Sequence, residues 1–302
     1  MLQKYVNSGK YRTFEDRKTD FNTMKKQLKA ALIYDFDGTL SPGNMQEYGF
    51  IEAVGKSNEE FWSESNVLAD IYDAAPILSY MFKMLEHAGK TGLPIKREMF
   101  QQTGRNITLY NGVKEWFGRI NRYGEERGIE ILHYINSSGL KEIIEGTPIA
   151  GEFKKIYACE FLYDKNGDAY WPAVAINYTN KTQFIYKINK GVDSVSDSHL
   201  VNAYVPDNQR PVPFEHMIYV GDGTTDIPCM RLVCDRGGHS IGVYNPASEK
   251  DHAKTKLLLT QNRVSMISPA DYSEGGRMDT IVKTILDKIA TDARIAELAT
   301  EE

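Results

Sequence analysis

An apolar run, Ala30-Ala31-Leu32-Ile33-Tyr34, delivers the chain directly into Asp35-Phe36-Asp37-Gly38-Thr39-Leu40. A short continuous apolar segment that ends in a glycine-bearing loop fits a strand buried on both faces, as in the middle of a parallel sheet. Two carboxylates two residues apart leave such a strand on about the same side. One can attack an electrophile or bind a metal while the other handles a proton. A central strand needs neighbours, and four more strand-like runs follow, at 129–136, 156–163, 216–221 and 240–244. Helix-like patterns fall between most of them. One covers 140–146, with Ser137 or Ser138 as its cap and Gly146 as its end. Another covers 281–290, with Ile281, Val282, Ile285, Leu286 and Ile289 on one stripe. Strands alternating with helices predict a doubly wound α/β fold, a parallel sheet covered on both faces.

Two intervals depart from that alternation. Asp164-Lys165-Asn166-Gly167-Asp168 carries the Asn-Gly of a tight hairpin. It lacks the twelfth-position glutamate of a calcium-binding loop. Residues 41–127 show no strand pattern and read as helices over 46–54, 58–73, 75–87 and 96–102. An interval of that length is far more than a crossover between neighbouring strands requires. It predicts an inserted helical module. The chain then divides into a polar N-terminal extension (1–29), a core (30–40 and 128–302) and the insertion (41–127). A further polar stretch over 192–213, carrying Pro206, Pro211 and Pro213, is expected to be a surface loop.

Bulk properties narrow the classes of function. The 302 residues are 41% hydrophobic and 25% charged, with a net charge of −5 and both signs interspersed. No basic cluster stands apart from acidic neighbours, which argues against nucleic acid as a partner. No apolar run approaches the roughly 20 residues that span a bilayer. Met1-Leu2-Gln3-Lys4-Tyr5 lacks the apolar centre of a signal peptide, and a cytoplasmic location is expected. Cys159, Cys229 and Cys234 form neither an even framework nor a CxxC pair. All three are expected to be reduced, and Cys229 and Cys234 to be small buried hydrophobes rather than a metal pair. Nothing in the sequence sets an oligomeric state.

Four segments place polar residues at strand ends. The first holds Asp35 and Asp37. The second is Ser137-Ser138-Gly139, where a hydroxyl and free N–H groups at a helix start would seat a phosphate. The third is Lys181, which could reach that phosphate and neutralise a nearby carboxylate. The fourth is Gly221-Asp222-Gly223-Thr224-Thr225-Asp226. Its two acids, four residues apart at a loop-to-helix junction, suit a hard cation such as Mg²⁺.

In this order the four segments resemble the four motifs of the haloacid dehalogenase-like (HAD) hydrolases, most of which are phosphatases. The resemblance runs from residue 30 to about residue 290. Within the family the stretch 151–190 looks most like phosphoserine phosphatases. The resemblance implies a Rossmann-like core of strand order 3-2-1-4-5, with the helical insertion as a cap. It implies that Asp35 attacks phosphorus to form an aspartyl-phosphate and that Asp37 serves as acid and then base. It further implies Mg²⁺ held by the carboxylates of Asp35 and Asp222 and the backbone carbonyl of Asp37. Asp226 would bind the metal or its waters. Ser137 and Lys181 would grip the phosphoryl oxygens, with Ser138 and Gly139 donating nearby. The expected partner is a small phosphorylated metabolite.

A phosphotransferase or a non-catalytic phosphometabolite-binding protein on this scaffold stays open. For the substrate, Glu47, Arg97 and Arg105 are weighed as contacts to an amine or a carboxylate. The segment Ser41-Pro42-Gly43-Asn44-Met45-Gln46-Glu47-Tyr48 lacks the acidic cluster expected for phosphoserine. Trp62, Trp116 and Phe117 are expected in the core, and Tyr170-Trp171-Pro172 at a rim or a contact surface.

Overall fold

The run that opens the sequence argument becomes β1, Leu28–Tyr34, whose last five residues are buried. The computed structural model describes residues 27–299. Of the expected N-terminal extension, 1–26 lies outside the described residues, and Leu28 and Lys29 already belong to β1. After β1 come α1 (Phe50–Ala53), α2 (Asn58–Tyr72), α3 (Pro76–Thr91), α4 (Arg97–Arg105) and α5 (Val113–Glu125). β2 (Ile129–Leu140), α6 (Lys141–Glu145), β3 (Lys155–Tyr163), β4 (Ala169–Val174), α7 (Lys181–Lys190) and α8 (Ser198–Asn202) follow. The described chain closes with β5 (Met217–Gly221), α9 (Ile227–Asp235), β6 (His239–Tyr244), α10 (Glu249–Thr260), β7 (Met266–Pro269) and α11 (Arg277–Leu298).

The seven strands lie in the order β4-β3-β2-β1-β5-β6-β7. Every neighbouring pair is parallel except β3–β4. The expected 3-2-1-4-5 order is present as β3-β2-β1-β5-β6. β4 is the return strand of the Asn-Gly hairpin, and β7 extends the far side. Strand order reverses between β1 and β5, so the carboxyl ends of these two strands flank the crevice where open parallel sheets place their sites.

Alternation along β2 sorts the helices to the two faces. His133 contacts the ring of Phe117 on α5. Its neighbour Tyr134 points the other way and stacks on Tyr157, which stacks on Phe184 of α7. Trp116 and Phe117 are fully buried, as expected of core residues. α5 packs on β2, so the last part of the 41–127 interval lies against the sheet. α4 is also held tightly to the core. It packs on α6, where a β-carbon at Gly146 would overlap the backbone of Gln101.

On the α5 face three buried polar side chains form a connected chain of hydrogen bonds. Trp116 Nε1 donates to the Tyr34 hydroxyl (2.9 Å), which donates its own proton to His133 Nδ1 (3.0 Å). The imidazole proton therefore sits on Nε2, which donates to Asn121 Oδ1 (2.9 Å). Burial holds the His133 pKa down at about 3. The unfolded chain takes up this proton near pH 6.5 and the folded chain does not. The contribution is complete above pH 6.5 and lost as pH falls toward 3, about 2 kcal/mol by pH 5. Urea unfolding at pH 7.5 and pH 5 is expected to show His133→Gln losing less stability than wild type across that interval. Equal losses would remove His133 from the acid response.

Several expectations are corrected. β2 continues through Leu140 with a register shift after Asn136, so neither Ser137 nor Ser138 caps α6; Leu140 holds the cap position. The 192–213 stretch lies at the surface as expected, but it is not all loop, since it contains α8, and it is tied to α7. Lys187 donates to the carbonyls of Ser194 and Asp197, and Lys190 to those of Val201 and Ala203. Cys159 and Cys229 are buried, whereas Cys234 is half-buried with its sulfur against the hydroxyls of Ser240 and Ser265.

Candidate active site

The two strands at the switch point deliver their acids to one place. Asp35 N donates to Val220 O (2.9 Å), fastening the end of β1 to β5. The carboxylate of Asp35 accepts the Phe36 N–H on Oδ1 (2.8 Å) and faces the Lys181 ammonium with Oδ2 (3.2 Å). Lys181 opens α7, is fully buried, and also donates to Asp226 Oδ1 (2.7 Å). The same Asp226 oxygen accepts the Tyr219 hydroxyl (2.8 Å), while Oδ2 accepts the Gly223 N–H (3.3 Å). Gly38 turns the loop after β1 with a φ of 72°, and a β-carbon there would run into the Asp222 carboxylate. That position needs glycine twice, for its dihedral and for the close approach. Asp37 Oδ1 accepts the Met45 N–H (3.0 Å), which ties the carboxylate to the first turn of the insertion.

Four acids crowd around the buried ammonium of Lys181, and Lys254 on the cavity lining also draws down Asp222. Burial, then the charge of Asp226, raises the Asp35 pKa to about 6, against the opposing pull of Lys181. Burial, then Asp35 and Asp226, raises Asp222 to about 7. Asp37 is pushed well above the ordinary range by burial and then by Asp35. Burial opposes the charge on Lys181, but Asp226 and Asp35 together raise its pKa and keep it protonated. Asp35, Asp222 and Asp226 each offer a carboxylate oxygen within 4.8 Å of the others. An all-oxygen, carboxylate-rich set of this kind fits a hard divalent cation, whose charge would relieve the crowding that raises these pKa values.

Asp35, Asp37 and Asp222 open into a cavity of about 530 Å³, whereas Lys181 and Asp226 are fully buried and are not among its lining residues. Asp35, Asp37, Ser137, Ser138, Gly139 and Asp222 all line it. Ser137 Oγ accepts the Gly139 N–H (3.1 Å), and Ser138 Oγ is buried without a hydrogen-bond partner. The lining also includes residues with no local signal in the sequence: Gln46, Trp62 and Tyr80, with Tyr110, Asn245 and Lys254. Trp62 is half-buried, packing against the core through Phe61 and Tyr80 while also lining the cavity, its Nε1 donating to Glu47 Oε1 (2.8 Å). Tyr80 donates to the carbonyl of Ser138 (2.8 Å), joining α3 to the end of β2. Both aromatics lie on helical stripes that read as core, so no local pattern separates them from packing residues.

The weighed substrate contacts fall elsewhere. Arg97 lies over the Tyr163 ring and pairs with Glu160 (3.0 Å) and Glu145 (3.3 Å). Arg105 is exposed, and neither it nor Glu47 lines the cavity. Tyr170, Trp171 and Pro172 line a separate groove with Leu78 and Phe82.

A family model described as "Putative Phosphatase" matches residues 30–236, a span that contains all four strand-end segments. The chain belongs to this phosphatase family. The phosphatase is a phosphoric monoester hydrolase by that membership. It is 30% identical over 279 residues to an uncharacterized protein of Borreliella burgdorferi, covering 82% of this chain and 93% of that one. A phosphoethanolamine/phosphocholine phosphatase of Gallus gallus is 25% identical over 202 residues, 66% of this chain and 68% of the relative. Among solved structures, a HAD family hydrolase from Salmonella enterica serovar Typhi has a TM-score of 0.55 at 13% identity, covering 86% of this chain and 73% of that one. A substrate-bound phosphoserine phosphatase has a TM-score of 0.50 at 13% identity, covering 79% and 92%. These two structures share the fold of the phosphatase. Among the described residues no helix is long and apolar enough to cross a membrane.

Proposed function

We propose that this phosphatase hydrolyses a small phosphomonoester through a transient phosphoryl group on Asp35. The observation that carries the reading is the convergence of Asp35, Asp222 and Asp226 around the buried ammonium of Lys181. Such a carboxylate can act as a nucleophile while its position and charge are governed by its neighbours. In the first step an oxygen of Asp35 bonds to phosphorus as the ester P–O bond breaks. Asp37 gives its proton to the departing alkoxide. Its raised pKa supports that assignment, since a general acid must hold a proton near neutral pH. In the second step Asp37 takes a proton from water, the hydroxide bonds to phosphorus, and the Asp35 carboxylate leaves.

Lys181 and Ser137 would hold phosphoryl oxygens, with Ser138 and Gly139 donating beside them. The unpartnered Ser138 hydroxyl supports this role. Mg²⁺ would be held by Asp35 and Asp222, with the Asp37 carbonyl, and with Asp226 binding it or its waters. When bound, it would supply positive charge that offsets the repulsion between an anionic carboxylate and an anionic ester. Residues 41–127 would act as a cap that excludes water, with α2 and α3 presenting Trp62 and Tyr80 to the cavity. The name of the Gallus gallus relative points to small amino-alcohol phosphates.

Metal removal tests the reading. Phosphate release from p-nitrophenyl phosphate is expected to fall at least about 100-fold in chelator and to return with added Mg²⁺. Undiminished turnover in excess chelator would contradict it.

A further inference from the structure

We propose that Gln46 selects the leaving group by accepting a hydrogen bond from it. This rests on the phosphatase reading above and names the class of ester the site takes. Gln46 is 2% exposed and lines the cavity that holds Asp35 and Asp37. Its Oε1 is buried and has no hydrogen-bond partner. Buried amide oxygens in folded proteins are almost always paired, so an orphan in a cavity wall points to a group supplied from the cavity.

The position of the amide decides which part of the substrate supplies that group. Gln46 directly follows Met45, whose N–H holds the carboxylate of Asp37. Its backbone is therefore anchored next to Asp37, the residue proposed to protonate the leaving group. Neighbouring donors are already committed. Asn44 Nδ2 and Trp62 Nε1 both donate to Glu47 Oε1 (2.7 and 2.8 Å), and the Tyr80 hydroxyl donates to the Ser138 carbonyl. Among the described residues, no donor of this wall reaches the orphan oxygen. The substrate class is thus a phosphomonoester whose alcohol carries a hydroxyl or a primary ammonium. An alkyl chain offers no donor, and neither does a trimethylammonium group.

Four esters of similar size test this with Mg²⁺ present: ethanolamine phosphate, glycerol 1-phosphate, choline phosphate and n-propyl phosphate. Wild type is expected to favour the two donor-bearing esters over the other two by roughly 10–100-fold in kcat/KM, the effect of leaving a buried polar group unpaired. Gln46→Met keeps size and removes the acceptor, and it should bring that ratio to within about threefold of one. Gln46→Glu keeps an acceptor and adds charge, so it should favour the ammonium ester over the glycerol ester more strongly than wild type does. This second variant decides the matter if the first does not fold. A wild-type ratio near one, or a ratio unchanged in Gln46→Met, overturns the assignment. Failure of the phosphatase reading looks different. Either wild type releases phosphate from none of the esters, or Asp35→Asn hydrolyses them as wild type does, and the assignment of Gln46 falls with it.

Discussion

Asp35→Asn is expected to release phosphate about 10³- to 10⁶-fold more slowly than wild type, the range seen when a catalytic nucleophile is removed. The amide has the size of the carboxylate and none of its nucleophilicity. Its effect on folding should be small. The substitution deletes one member of a crowded set of buried acids, and that crowding helps raise Asp222. Lys181 keeps its partner Asp226 at 2.7 Å. Steady-state phosphate release and thermal unfolding, measured on one preparation, check both halves. A folded variant with wild-type turnover would exclude Asp35 as the nucleophile.

Lys181→Met should be the most damaging single change to the fold at this site. The ammonium is fully buried and bridges Asp35 (3.2 Å) and Asp226 (2.7 Å). Removing one partner from a buried ionic cluster leaves uncompensated charge and costs about 3–5 kcal/mol. Activity should also fall, by about 10²-fold or more, because a preorganised positive charge facing the phosphoryl oxygens is lost. The two effects separate in a double variant. Lys181→Met combined with Asp226→Asn removes one of the two carboxylates left without their cation and should recover part of the stability while leaving activity low. Urea unfolding and phosphate release on the two single variants and the double variant give the comparison. If Lys181→Met alone unfolds like wild type, the cluster does not depend on the ammonium.

The parts of the site written into contiguous residues are legible in the sequence itself. Asp35 and Asp37 follow an apolar strand, and Asp222 and Asp226 follow another, so local pattern and strand-end geometry suffice to place them. The same holds for the Asn166-Gly167 hairpin and the parallel sheet implied by the alternation, whereas the strand order follows only from the family resemblance. Lys181 shows the limit. A lysine in a polar stretch reads as a surface charge, and its complete burial follows only from two carboxylates that arrive from distant strands. Gln46, Trp62 and Tyr80 show it again, since only the folding of the insertion over β1 and β2 brings them to the cavity. Arg97 illustrates the converse. It reads as a candidate substrate contact, yet Glu145 and Glu160, far along the chain, hold it away from the cavity. β7 escapes pattern reading because Met266-Ile267-Ser268-Pro269 is too short for a periodicity and ends in proline. α5 carries a clear apolar stripe in Val113, Trp116, Phe117 and Ile120, and it merges with the insertion in the sequence because no strand precedes it.

The central claim is that the phosphoryl group passes through the carboxylate of Asp35. Acid quenching during steady-state turnover, followed by digestion and mass spectrometry, tests it most directly. The account predicts one added phosphoryl group on the peptide that contains Asp35, formed within the first turnover and absent from Asp35→Asn. Phosphate release at the wild-type rate with no labelled peptide, or with the label on another residue, would contradict it.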